Sequence, residues 1–251
     1  MSAASAGPSI RLIHFAFSHY NEKARWALDH KGLSAERVAV LPGPHARVTQ
    51  ALSDQSATPI VVIGDEVVAG SARIVERLDA LRPDRPLFPA DAAEREECGK
   101  WIRYFDDEVG PAVRLSLFHR LFEEPRYAAA LFSTAQPGWK RVPYAWLFPR
   151  LIPMLRDRMS IDDETDRQAL ATIETALDRT AKAVAADGYL VGGRFGAADL
   201  TAAALLMSLG RPPNLPFSFP ARPSRAHDEW VALWADHPAI AWMQSMFERH
   251  R

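Results

Sequence analysis

Over residues 10–81 short apolar runs alternate with segments of helical period. Ile10–Phe17 reads as a strand, and Asn21–His30 as a helix with Ala24, Ala27 and Leu28 on one face. Arg37–Leu41, Ile60–Ile63 and Glu66–Val68 read as further strands, the last two joined by the turn pair Gly64-Asp65. Ser71–Leu81 has Ile74, Leu78 and Leu81 at helical spacing. The order β-α-β followed by β-β-α predicts an α/β domain with a mixed sheet.

The character of the chain changes near residue 82. Pro83, Pro86 and Pro89 crowd one short stretch, which reads as a linker because proline ends helices and stiffens connectors. Beyond it no alternating strand pattern appears. Ala93–Glu108 reads as a long helix, and Val113–Phe122 as its continuation after a break at Gly110-Pro111. Ala135–Pro153, with four prolines (Pro137, Pro143, Pro149 and Pro153), reads as a large insertion or several short helices. Asp163–Ala186 is amphipathic. Ala198–Leu209 is very apolar, which predicts a central buried helix. Arg211–Ser224 is proline-rich and reads as a loop. Asp228–Met246 is helical with an interruption at His237-Pro238. The expected organisation is an α/β domain over residues 9–82, a linker over 83–92 and an all-helical domain over 93–251.

Composition narrows the function classes. Lys plus Arg number 30 against 31 Asp plus Glu, a net charge of −1, which argues against a nucleic-acid binder. The single cysteine, Cys98, allows neither an intramolecular disulfide nor a site built on several thiolates. The eight histidines show no metal-ligand spacing, so no metal is expected. Residues 1–9 lack the charged and apolar regions of a secretory signal, and the longest apolar stretch, Ala202–Leu209, falls far short of the ~20 residues of a membrane span. A cytoplasmic location without membrane association is therefore expected.

Three positions could carry chemistry, each with a purely structural alternative. Ser18 stands between a strand and a helix. It could simply cap the helix, or its hydroxyl at the positive helix end could favour a bound anion such as a thiolate. Thr58-Pro59 opens a strand, either as an ordinary edge start or through a cis peptide bond. Gly70-Ser71 precedes a helix, so Ser71 could cap it, or the amides there could hold a carboxylate.

Taken together, these motifs resemble the cytosolic glutathione transferase family, bacterial-like and of serine type, over about residues 9 to 251. Ser18 with Glu22, Lys23 and Arg25 is similar to the family's active-site position and first-helix signature. Thr58-Pro59 resembles its cis-proline, and Ser71 its carboxylate-holding serine. Phe195-Gly-Ala-Ala-Asp199 resembles the helix-capping motif of the second domain, and His237–Met243 the closing helix of many bacterial members.

The resemblance implies a thioredoxin-like glutathione-binding domain followed by an all-helical domain that contributes the electrophile site. It implies that Ser18 stabilises the glutathione thiolate. The backbone of Thr58, before Pro59, would pair with the cysteinyl part. Gly70 and Ser71 would meet the γ-glutamyl end, and His45 or Arg47 the glycyl carboxylate. The implied reaction is attack of glutathione sulfur on a small apolar electrophile, by a homodimer in a detoxifying role. Alternatives on the same fold are peroxide reduction, ether cleavage or isomerisation, or a relative that binds a ligand or partner without catalysis.

The chain also departs from the family pattern. His19 and Tyr20 stand where many members have proline, leaving Tyr20 as a fallback donor. His14, Phe15 and Ala16 occupy the positions of a tyrosine-type residue. Gly70 replaces an acidic or amide residue, so Asp106 or Asp107, from this chain or a partner subunit, becomes a candidate for holding the α-amino group. Gly196 replaces the usual Ser or Thr cap, with Asp199 expected to reach back to it. The aromatics Trp139, Tyr144, Trp146 and Phe148 are expected to form a pocket wall or lid.

Overall fold

The computed structural model describes residues 8–184 and 186–251. Its first part is a four-stranded sheet in the order β2-β1-β3-β4, formed by β1 (Ile10–His14), β2 (Glu36–Ala39), β3 (Ile60–Ile63) and β4 (Glu66–Ala69). β1 runs parallel to β2 and antiparallel to β3, with Leu12 opposite Arg37 on one side and Val61 on the other. β3 and β4 form the expected hairpin. The helices α1 (His19–His30), α2 (Ala46–Leu52) and α3 (Ser71–Leu81) complete the expected thioredoxin-like unit. Leu12 and Val61 on the sheet and Ala24, Leu28, Ile74 and Leu78 on α1 and α3 are fully buried, which holds the layers together by removing apolar surface from water.

β1 is shorter than its apolar run. It stops at His14 because side chains take over the backbone of Phe15: Asn21 Oδ1 accepts from its N–H at 3.3 Å, and Arg25 donates to its carbonyl at 2.8 Å. α2 was not legible in the sequence, since only Thr49 of its seven residues is buried and no apolar stripe marks it.

The rest is helical. α4 (Ala92–Tyr104) passes through one π-helical turn (Phe105–Val109) into α5 (Gly110–Leu121). The break expected at Gly110-Pro111 is absent. Pro111 directly follows the π-helical turn, in which Gly110 N–H donates to the Phe105 carbonyl five residues back, so the irregularity in the helix ladder falls where proline lacks an N–H, and a Cβ on Gly110 would lie 2.5 Å from the Tyr20 hydroxyl. α6 (Pro125–Phe132) follows.

The proline-rich segment is one 21-residue helix, α7 (Gly138–Arg158), with Pro143, Pro149 and Pro153 inside it. Tyr144, Phe148 and Ile152, each one turn apart, form a buried stripe that outweighs the lost backbone bonds. The Tyr144 hydroxyl donates to the Pro42 carbonyl at 3.2 Å, and Gln136 donates to the Ala39 carbonyl at 2.7 Å, tying α7 and the chain before it to the segment around β2. The expected aromatic wall therefore divides. Tyr144 and Phe148 face inward, whereas Trp139 and Trp146 are 74% and 73% exposed on the opposite face.

α8 (Asp163–Ala183), α9 (Ala197–Gly210), α10 (Arg225–Ala232) and α11 (Pro238–His250) complete the chain. Every residue from Ala197 to Leu209 is buried, so α9 is the expected central helix. Asp199 reaches back as expected, accepting from the N–H groups of Gly196 at 3.0 Å and Leu190 at 2.8 Å. Glycine at 196 has a packing reason: a Cβ there would lie 2.9 Å from the Leu87 carbonyl oxygen, which already accepts from Ala197 N–H at 2.7 Å.

Cys98 is buried in α4, and burial pushes its thiol up to about 11. The native protein should therefore be inert to an aromatic disulfide reagent at pH 8 and release one thiol equivalent only when unfolded. Rapid native labelling would contradict this placement.

Candidate functional site

A cavity of about 330 Å³ lies at the C-terminal end of β1. Phe15, Phe17, Ser18, His45 and Thr58 line it from the sheet side, and Arg114, Phe118, Phe122, Phe148 and Arg158 from the helical side.

Ser18 caps α1 in extended conformation. Its Oγ accepts from the Asn21 side-chain amide at 2.7 Å and, more weakly, from the Asn21 backbone N–H at 3.5 Å. A hydroxyl has one proton to donate and two lone pairs. With both acceptor roles facing Asn21, the Ser18 proton is left to donate toward the cavity. The Asn21 amide is itself fixed. Its oxygen accepts from Phe15 N–H, and its nitrogen also donates to Thr58 Oγ1 at 3.1 Å. One buried asparagine thus sets the rotamer of Ser18 and ties it to Thr58.

The Thr58-Pro59 peptide is cis. Among the described residues the backbone N–H and C=O of Thr58 make no hydrogen bond, while the Pro59 carbonyl accepts from Gly70 N–H at 3.1 Å. A half-buried residue with a free donor and a free acceptor can pair with an extended ligand as a strand edge would.

The other candidates fall into place unevenly. His45 lines the cavity, its ring edge-on to Phe15 with centroids 4.8 Å apart. Its Nδ1 accepts from Gly43 N–H, and burial lowers its pKa, so it is a neutral donor through Nε2. Arg47 is not among the residues that line this cavity. Gly70 and Ser71 lie at the start of α3, outside this lining. Gly70 has φ +92°, a left-handed conformation that strains any other residue although the space around it is open. Glycine at this position thus has a backbone reason.

Two candidates are engaged elsewhere. Asp106 holds the buried Lys23 ammonium at 2.7 and 2.9 Å, so it is committed within its own chain. Tyr20 donates its hydroxyl to the Asp106 carbonyl at 2.6 Å, and burial pushes its pKa up, which removes it as a fallback donor. Asp107 is exposed.

Beneath the β1–α1 turn lies a buried charge network. Glu22 accepts from Arg25 at 2.7 Å and from Arg251 at 2.5 Å. Arg25 also donates to His14 Nδ1 at 2.9 Å. That bond requires His14 to be neutral, and burial with Arg25 nearby lowers its pKa to about 4. Burial likewise lowers His19 and His227 to about 3.

The sign of the pH effect follows. Unfolded histidines take up protons below pH ~6.5 while these three do not, so the unfolded state binds more protons and stability drops as the pH is lowered. The contribution is complete above pH ~6.5 and lost by pH 3–4. Urea unfolding followed by tryptophan fluorescence should show the midpoint dropping steeply between pH 6.5 and 4. A flat profile would mean that these histidines are solvated.

Residues 12–86 match the family model described as glutathione S-transferase, N-terminal domain. Several solved structures share the architecture. A glutathione S-transferase from Methylobacterium radiotolerans, in complex with glutathione sulfonate, has a TM-score of 0.64 and 22% identity over 96% of this chain and 91% of that one. The beta-etherase LigF from Sphingobium sp. strain SYK-6 has a TM-score of 0.62 and 19% identity over 94% and 99%. The theta class glutathione S-transferase from Xanthomonas axonopodis pv. citri, with glutathione bound, has a TM-score of 0.58 and 20% identity over 93% and 95%. No curated protein sequence matches the chain. At these identities the structures establish a shared fold.

Proposed function

On the premise that the chain is a member of the glutathione S-transferase family, by its matched N-terminal domain and by its fold, we propose that it adds the glutathione thiolate to small apolar electrophiles, with Ser18 as the donor to sulfur. The observation that carries this reading is the Asn21 bridge, which fixes the Ser18 hydroxyl beside the free backbone edge of Thr58.

The free thiol has a pKa of ~8.5, and the thiolate is the nucleophile. Each unit of depression needs about 1.4 kcal/mol of preferential stabilisation. One hydrogen bond to the anion supplies about 1.5–3 kcal/mol, and the start of α1 adds its positive end. The thiol proton passes to solvent, the S–C bond forms, and the leaving group departs with its electron pair. Thr58, before Pro59, pairs with the cysteinyl part by its backbone. His45 donates to the glycyl carboxylate, and Gly70 and Ser71 receive the γ-glutamyl end. In this reading residues 9–82 bind glutathione, 83–92 link, and 93–251 supply the electrophile wall. A homodimer, a cytoplasmic location and a detoxifying role belong to the same proposal.

The test is calorimetric titration with reduced glutathione while following the ultraviolet thiolate band. Binding with a thiolate signal at pH 7 is expected. Absence of binding at millimolar glutathione would overturn the reading in favour of a non-catalytic relative. Binding followed by release of oxidised glutathione with peroxides, instead of a stable thioether with electrophiles, would replace conjugation by reduction.

A further inference from the structure

The cavity holds two cations and no carboxylate. Of its lining residues Arg114 and Arg158 are the charged ones, and none is Asp or Glu. Arg158 has an assigned neighbour. It lies close enough to His45 to act on its charge, at the end proposed for the glycyl carboxylate. Arg114 has none. It stands on α5 beside His19 and Tyr20, its Nε is buried without a partner, and among the described residues its guanidinium makes no hydrogen bond or ion pair. Buried His19, next to it, also has an unpartnered Nε2. The γ-glutamyl carboxylate does not explain Arg114, since Gly70 and Ser71 lie outside this lining.

The wall beside it, beginning one turn further along α5 at Phe118, is aromatic. Phe118 packs against Phe122 and Phe132, and Phe132 against Phe148, with ring centroids 5.4 Å apart in each pair. Such a surface takes a planar ring by edge and offset contacts. A half-buried guanidinium without a counter-charge favours a bound anion, which it can hold by two parallel hydrogen bonds.

We infer that the second substrate is an aromatic compound bearing a carboxylate or sulfonate, its ring among Phe118, Phe122 and Phe132 and its anion on Arg114. This rests on the conjugation reading for the reaction but not for the binding. The anion is held away from the carbon that sulfur attacks, so the S–C bond forms and the leaving group departs as before.

Equilibrium binding of naphthalene-2-carboxylate and its neutral carboxamide, read by calorimetry without turnover, tests the inference. The wild type should bind the carboxylate about tenfold more tightly, the scale of one charge-assisted hydrogen bond. Arg114→Gln should abolish that preference and leave carboxamide affinity within about twofold, while Arg114→Lys keeps part of it. Arg158→Gln should weaken glutathione and keep the naphthalene preference. Equal affinity for both ligands in the wild type, failure to bind either, or a preference that survives Arg114→Gln and disappears in Arg158→Gln would each overturn the assignment. A protein that shows the carboxylate preference but no glutathione thiolate band would retain this anion site and lose the transferase reading.

Discussion

Ser18→Ala is expected to lower kcat/KM for conjugation at pH 7 by about tenfold or more, the scale of one lost hydrogen bond to an anion. The loss has a pH signature. Without the donor the bound thiol pKa rises, so the acid limb of the rate profile moves to higher pH. The deficit should be large at pH 6.5 and shrink toward pH 9, where the thiol ionises unaided. Removing the helix cap also costs about 1 kcal/mol of stability, which a thermal melt reads separately. Asn21→Leu should reproduce much of the kinetic effect with Ser18 intact, because it removes the side-chain amide that makes the shorter of the two bonds to Ser18 Oγ and fixes the hydroxyl, and leaves only the 3.5 Å backbone N–H contact. Tyr20→Phe should leave the thiolate band in place, since that hydroxyl is spent on the Asp106 carbonyl. An unchanged rate in Ser18→Ala would remove the serine from the mechanism.

The candidate positions were legible where chemistry and local structure coincide. Ser18 and Thr58, which line the cavity, and Gly70-Ser71, which lie outside its lining, each stand at an element boundary, and boundaries are what apolar periodicity and proline mark. Asn21 was not legible as a functional residue. A polar residue in the first turn of a helix is ordinary, and only the return of β3 brings Thr58 to its amide. Arg114 was missed for the same reason: its meaning lies in the absence of a partner, which is a property of packing. Of the acidic candidates, Asp106 is consumed by Lys23, 83 residues earlier in sequence, a pairing that no local pattern announces. α7 misled in the other direction. Three internal prolines argue against a helix by local rules, yet the Tyr144–Phe148–Ile152 stripe at four-residue spacing gave tertiary packing the deciding vote.

The largest effect on stability should come from Glu22→Gln. Glu22 is fully buried and accepts from two guanidinium groups, Arg25 at 2.7 Å and Arg251 at 2.5 Å. Substitution leaves Arg25 as a buried charge with no carboxylate. Breaking a buried pair from one side costs about 3–5 kcal/mol, because the remaining charge keeps its desolvation penalty and loses its compensation. In a chain of 251 residues that corresponds to a fall in Tm of roughly 10 °C. Arg251→Ala should cost less, since Arg25 then keeps Glu22 to itself. The double substitution Glu22→Gln with Arg25→Met should be milder than the sum of the singles, because removing both charges removes the unpaired one. The consequence reaches the site. Arg25 donates to the Phe15 carbonyl at 2.8 Å and to the Ser18 carbonyl at 3.5 Å, so it braces the turn that presents Ser18. Glu22→Gln should therefore weaken the glutathione thiolate band even at temperatures where the protein remains folded. Stability within about 1 kcal/mol of wild type would mean that water solvates this network, and that the turn is held by Asn21 alone.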